Sequence, residues 1–196
     1  MTHILDNSAL DTLFRTARTY NNWQKKDVPD DLLHRVFDLM KWAPTSVNCS
    51  PFRAVFVKSE AEKAKLLPLV DKGNLVKTQS APVTAIFAFD HEFYTHLPRL
   101  FPHTDAKSWF TGNSALADET AWRNGTLQAA YFMMAARALG LDCGPMSGFD
   151  KDGAKKVFFP DQNVTVNFLC NLGYGDPASV YPRSPRFDFA DVCRIV

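Results

Sequence analysis

Between residues 114 and 138, the apolar positions Leu127, Ala130, Tyr131, Met134, Ala135 and Ala138 recur at steps of three and one. That is the 3.6-residue period of a helix with one buried stripe. Ser114 is placed to act as its N-cap, Asp118 and Glu119 put negative charge near its start, and Gly140 supplies a left-handed stop. Gly125 inside the pattern costs about 1 kcal/mol against alanine. Residues 141–149, L-D-C-G-P-M-S-G-F, then read as a rigid turn. Gly144, Pro145 and Gly148 there leave backbone N–H groups free to face a flat, acceptor-bearing ligand.

The rest of the chain alternates helical and strand patterns. Ser8, Leu10, Leu13, Phe14 and Ala17 suit a short amphipathic helix, and Pro29–Asp30 open a second with Leu32, Leu33, Val36, Phe37 and Met40 inside. Residues 53–57 form a strand candidate, and Ser59 with Glu62 is a capping-box signature for a helix to about Val70. The apolar runs at 83–89 and 164–172 read as strands, the first covered on both faces. Short helices are expected over 150–159 and 189–196. Residues 91–113 are irregular and aromatic, suiting a lid or packing between subunits. No repeat or linker interrupts the pattern, so residues 1–196 are expected to form one domain.

Charge narrows the partners. Lys plus Arg number 22 against 21 acidic residues, a net charge of +1. That balance gives no footprint for nucleic acid and no polybasic membrane patch, so any phosphate site is local. Cys49, Cys143, Cys170 and Cys193 are scattered, which points to reduced thiols. The N-terminus lacks a secretory pattern and no apolar run suffices for a membrane helix; the expectation is a cytoplasmic protein.

Two motifs fail on context. Residues 173–178 spell G-x-G-x-x-A after a strand, but Pro182 and Pro185 block the helix that a dinucleotide fingerprint requires. His91-Glu92 with His96 resembles a zinc-protease pattern, yet histidines five apart diverge by about 140° around a helix and cannot share a metal. Solvent-facing histidines and no metal site are expected. No nucleophile elbow or phosphate-cradling loop occurs, so an enzyme here leans on a bound cofactor.

Polar patches remain at 18–21, 44–50, 74–77 and 183–186, with the turn at 145–148. Together they meet the needs of flavin mononucleotide (FMN). Arg18, Arg183 and Arg186, beside Thr19 and Asn21, can neutralise a phosphate. Asn74 and Lys77, one helical turn apart, can serve the pyrimidine edge, and Lys77 can stabilise negative charge on the reduced ring. The backbone amides of Ser147 and Gly148, after Pro145, can reach N5 and O4.

At these residues the chain resembles the FMN-dependent nitroreductase family over nearly its whole length. P-T-S-V-N-C-S-P-F (44–52) is similar to the family's P-S-S-x-N-x-Q-P-W loop, N-L-V-K (74–77) to its N-x-x-K element, and P-M-S-G-F-D (145–150) to its P-x-E-G-F-D turn. Y-P-R-S-P-R (181–186) resembles its basic tail. Ser147 stands where typical members carry glutamate. Closer still is the branch containing the malonic semialdehyde reductase of pyrimidine breakdown, similar at R-T-Y-N-N-W (18–23), F-P-H-T-D-A-K-S-W-F (101–110) and A-L-G-L-D-C-G-P-M-S-G-F-D (138–150).

The resemblance implies an α+β, three-layer fold, a mixed or antiparallel sheet flanked by helices, in an intertwined homodimer with FMN at the interface. It implies that Pro44, Thr45 and Ser46 reach the partner's flavin, with Asn48 of the same loop also cofactor-binding. The expected activity is ping-pong hydride transfer from NADH or NADPH through flavin N5 to a small-molecule acceptor, first of all malonic semialdehyde. Arg123, Arg99 or Lys107 are candidates for the acceptor carboxylate, and His103 or Tyr94 for the proton donor. The rivals are a broad nitro, quinone or enone reductase and a flavin-binding protein without turnover.

Overall fold

The computed structural model describes residues 3–196. Four strands, β1 (Phe52–Val57), β2 (Val83–Asp90), β3 (Asp142–Met146) and β4 (Val164–Gly173), form one sheet in the order β1-β2-β4-β3. Every neighbouring pair is antiparallel. The apolar run of β2 explains its central place: Val83, Ala85 and Phe87 face one core, and Ile86 and Ala88 the other.

Helices α1 (Asn7–Leu10), α2 (Asp30–Met40), α3 (Glu60–Leu66), α4 (Lys72–Ser80), α5 (Leu97–Leu100), α6 (Ser114–Ala138), α7 (Lys151–Phe158) and α8 (Phe189–Val192) complete the fold. α2 and α6 cover one face through Val36, Met40, Phe132 and Ala136; α3 and α7 cover the other through Leu66 and Ala154. This is the expected three-layer α+β arrangement. Phe132 stands edge-on to Phe87 at 5.1 Å between ring centroids, fully buried. Truncating such a ring to alanine costs about 3–5 kcal/mol.

α6 departs most from its sequence reading. Its N-cap is Asn113, whose side chain accepts from the Leu116 amide, and not Ser114. Its buried face is small and polar: Ala117, Thr120, Ala121, Asn124, Gly125, Gln128 and Ala129 precede Phe132. Leu127 and Tyr131, assigned to the inner stripe, are each 45% exposed, and Trp122 is 56% exposed. Close approach to the sheet selects the small face. A Cβ on Gly125 would lie 2.7 Å from Phe89 Cβ, so glycine's helix penalty is accepted for packing.

Other corrections are local. The helix expected from Ser8 is capped by Asp6 and passes at Asp11–Arg15 into a single π-helical turn. Phe37, expected inside, is half exposed. The expected turn at 141–149 contains β3, an edge strand in which Pro145 is tolerated because an edge has spare N–H positions. In residues 91–113, Phe93, Leu97, Ala106 and Phe110 are buried with Cys49 and Ala121 in a core of their own. His91 is not turned to solvent: its Nδ1 meets Asp118 Oδ1, and its Nε2 meets Thr165 Oγ1 at 2.8 Å. Among the described residues no three His, Cys, Asp or Glu side chains cluster as metal ligands, and no helix is long and apolar enough to cross a membrane.

Candidate functional site

An extended arm, residues 19–24, runs along the free edge of the sheet. Thr19 bridges Cys143 in parallel, the Tyr20 amide donates to the Cys143 carbonyl at 3.2 Å, and the Gln24 amide to the Tyr174 carbonyl at 2.8 Å. This carries Arg18 and Thr19 to the C-terminal tail, where Tyr181, Arg183 and Arg186 meet them around a cleft of about 440 Å³. The arginines are held by backbone oxygens: Arg18 donates to the Tyr181 carbonyl, Arg183 to Arg15 and Ala17 (2.8 and 3.0 Å), and Arg186 to Ser184 and Pro185 (both 3.0 Å). Carbonyls orient a guanidinium without neutralising it, and no carboxylate lines the cleft, which is therefore a cationic cradle.

Sequence reading missed a fourth arginine there. Arg137, near the end of α6, lines the same cleft and donates from Nη1 to the Leu13 carbonyl at 3.2 Å. Its Nε is buried with no acceptor. A buried unpaired donor costs about 1–3 kcal/mol, more when charged, and such a cost persists where an absent acceptor completes the site. Arg137 escaped notice because helical spacing alone reads it as a C-terminal charge near the helix dipole.

Tyr181 also lines a neighbouring cavity of about 340 Å³ with Asn21, Gly73 and Lys77. The Lys77 carbonyl accepts from Trp23 Nε1 and Asn171 Nδ2, both at 3.1 Å, which pins the end of α4. Desolvation pushes the Lys77 ammonium below its ordinary pKa. One turn earlier, Asn74 Nδ2 donates to the Gly148 carbonyl at 2.9 Å, and the Asp71 amide donates to it at 3.1 Å. A Cβ on Gly148 would lie 2.7 Å from both Asn74 Nδ2 and Asp71 Oδ2. A larger residue would displace both side chains, so glycine preserves the Asn74 hydrogen bond that holds the backbone at Ser147 and Gly148 just beyond β3. The exposed Ser147 and the half-buried Pro145 line a third cavity, of about 400 Å³.

The 44–50 loop is built separately. Val47, Asn48 and Ser50 all have positive φ (46°, 52° and 42°), unusual for residues with a Cβ. Two buried amides on α6 hold it: the Ser46 amide donates to Asn124 Oδ1 at 2.9 Å, and the Phe52 amide to Gln128 Oε1 at 3.0 Å. Asn48 Nδ2 donates to the Leu100 carbonyl at 2.8 Å. Pro44, Ser46 and Asn48 are left exposed and Thr45 half-buried. Asn124 and Gln128 were invisible to a search for apolar periodicity.

Within one chain the loop and the arginine cleft do not meet. Asn124 and Arg137 are more than three turns apart on α6, about 20 Å along its axis. Nor are His103 and Arg123 brought to the three cavities. His103 is exposed against Phe101, and Arg123 pairs with Glu119 on the outer face of α6.

A model of the family described as Nitroreductase matches residues 15–174. A protein of Burkholderia lata provisionally named NADH dehydrogenase/NAD(P)H nitroreductase is 60% identical over 191 residues, covering 97% of this chain and 98% of its own. One of Polynucleobacter asymbioticus with the same provisional name is 56% identical over the full length of both. Among solved structures, a provisionally named nitroreductase of Exiguobacterium sibiricum in complex with FMN superposes with a TM-score of 0.86 at 22% identity, covering all of both chains. One of Bacillus subtilis gives 0.85 at 20% identity, covering 97% of this chain and 100% of its own.

Proposed function

Because the chain belongs to the nitroreductase family, we propose that it is an FMN-dependent NAD(P)H oxidoreductase acting as a homodimer, with residues 1–196 as one domain. Each flavin is held by the arginine cleft, the end of α4 and the Ser147–Gly148 backbone of one copy, and by residues 44–48 of the other. The observation that carries this is the orphaned Arg137 Nε in a cleft of four arginines whose bonds go to backbone carbonyls. A phosphate dianion supplies the acceptors and the countercharge.

Bound FMN supplies the two-electron relay between NAD(P)H and an acceptor in separate half-reactions. Lys77 would hold the pyrimidine edge of the flavin with its desolvated cation and would stabilise negative charge there. Asn74, bonded to the Gly148 carbonyl, would steady that backbone, and the Ser147 and Gly148 amides would supply donors to the ring. Because α6 separates the 44–48 loop from the arginine cleft, the loop serves the second copy's site. The exposed apolar side chains Leu127 and Tyr131, one turn apart on α6, with Trp42 beyond α2, are the contact that brings the copies together.

The favoured acceptor is malonic semialdehyde, reduced to 3-hydroxypropionate. The matching runs at 101–110 and 138–150 support it, as does Ser147 in place of the family's glutamate.

The as-purified protein should be yellow, dimeric and bleached anaerobically by NAD(P)H. Arg137→Gln and Arg183→Gln should weaken FMN binding but not riboflavin binding, because riboflavin lacks the phosphate. Malonic semialdehyde should exceed a quinone and a nitroaromatic in kcat/KM, with parallel double-reciprocal lines. A colourless monomer that takes up no added FMN overturns the reading.

A further inference from the structure

The cavity beside Ser147 points to a residue that no resemblance assigned. Pro145, Met146 and Ser147 at the end of β3 form one side of this space of about 400 Å³, and Phe168 and Asn167 of β4 another. Asn167 is the extra residue of a bulge, since Phe87 pairs with Phe168 while Ala88 pairs with Val166. The bulge aims Asn167 at α6, where its Nδ2 donates to Thr126 Oγ1 at 2.8 Å, and brings Phe168 to the cavity wall. The lining is mostly apolar, with a single charged side chain, Lys151.

Lys151 lies between Asp150 and Asp152 in sequence but forms no ion pair with either. It is the first residue of α7, where the helix dipole disfavours a cation. The adjacent Asp150 carboxylate caps the helix, accepting from the Gly153 amide at 2.9 Å, and among the described residues Lys151 pairs with no acid. The other cations considered for an acceptor lie elsewhere: Arg123 is engaged by Glu119, while Arg99 and Lys107 belong to the segment packed around Phe93 and Phe110.

We propose that Lys151 is the specificity-determining residue of the acceptor site, holding the carboxylate of a small acidic acceptor whose apolar part rests on Phe168 and Pro145 beside Ser147. The assignment rests on the flavin reading above, which places Ser147 at the reactive edge of the ring. Lys151 binds and orients; it transfers no proton or electron. An unpaired ammonium beside a partly apolar, open hollow favours an anion over a neutral molecule of the same shape.

The test is an equilibrium titration of the oxidised FMN-loaded protein with benzoate and with benzamide, which share a shape and differ in charge, followed through the flavin absorbance. The wild type should bind benzoate more tightly. Lys151→Ala should raise the benzoate Kd about fivefold, and Lys151→Glu more, as expected for a solvent-accessible ion pair. Benzamide and FMN affinities should hold. Equal affinity for the two probes in the wild type, a parallel loss of both in the variants, or no benzoate binding overturns the role of Lys151 while leaving the flavin reading standing. Failure of the wild type to bind FMN overturns both.

Discussion

The backbone amide of Ser46 donates to Oδ1 of Asn124 at 2.9 Å, across 78 residues of sequence, and thereby ties an exposed loop to the inner face of the longest helix. Asn124 is 3% exposed, and its own Nδ2 donates to the Thr120 carbonyl at 2.8 Å, so its orientation is fixed. A loop with three positive-φ residues persists only when its surroundings over-determine it. Asn124→Leu leaves the Ser46 amide without its acceptor and should cost about 1–3 kcal/mol. Thermal unfolding should show the loss, and FMN affinity should fall with it. Asn124→Asp keeps the acceptor for Ser46 and should retain more of both.

Gly148→Ala tests the strand end directly. The added methyl collides with Asn74 Nδ2 and Asp71 Oδ2, so both side chains must turn away and the Asn74–Gly148 hydrogen bond is lost. FMN affinity, followed by quenching of flavin fluorescence, should drop at least about tenfold, the equivalent of one good hydrogen bond to a charged or oriented group.

Asp142 gives a pH-dependent outcome. Burial raises its carboxyl above the ordinary value, outweighing the opposing effects of the Gly175 amide, which donates to Oδ2 at 2.9 Å, and of Arg137. A carboxyl whose folded pKa is raised contributes stability at low pH and loses it as pH rises through the folded value. Asp142→Asn removes the charge and keeps an acceptor. The variant should therefore be more stable than wild type at neutral pH, and the gap should close on acidification towards the usual carboxylate range. Denaturant titrations at several pH values check it.

Lys77 follows the same logic with the other sign. Desolvation lowers its pKa, so the charged form is a cost to the folded protein at neutral pH that is relieved only as pH rises through the folded and then the ordinary lysine value. Lys77→Met should raise the melting temperature of the FMN-free protein slightly, by about 1 °C, and weaken FMN binding. A variant that destabilises the free protein would count against a residue kept for its ligand.

Tyr131→Glu and Leu127→Glu place charge on the exposed apolar face of α6. Both should shift the protein to monomer in sedimentation at micromolar concentration and release FMN, because the second copy's loop leaves with it.

The chain's own order of residues determined much. β2 was legible because a strand buried on both faces needs an unbroken apolar run, and α3 because Ser59 caps it through the Glu62 amide. Arg18, Arg183 and Arg186, three of the cleft's four arginines, were legible as a cationic set, and Asn74 with Lys77 as one face, since polar groups one helical turn apart declare it. Tertiary structure alone decided three matters. It chose the inner face of α6, because apolar residues lie on both sides of that helix and only the distance to Phe89 excludes the large ones. It made residues 142–146 an edge strand, because glycine and proline signal a turn until a partner strand is present. And it gathered Arg137, Asn124 and Gln128 into their roles, because a buried polar side chain is defined by its partner, and the partners lie on segments far away in sequence.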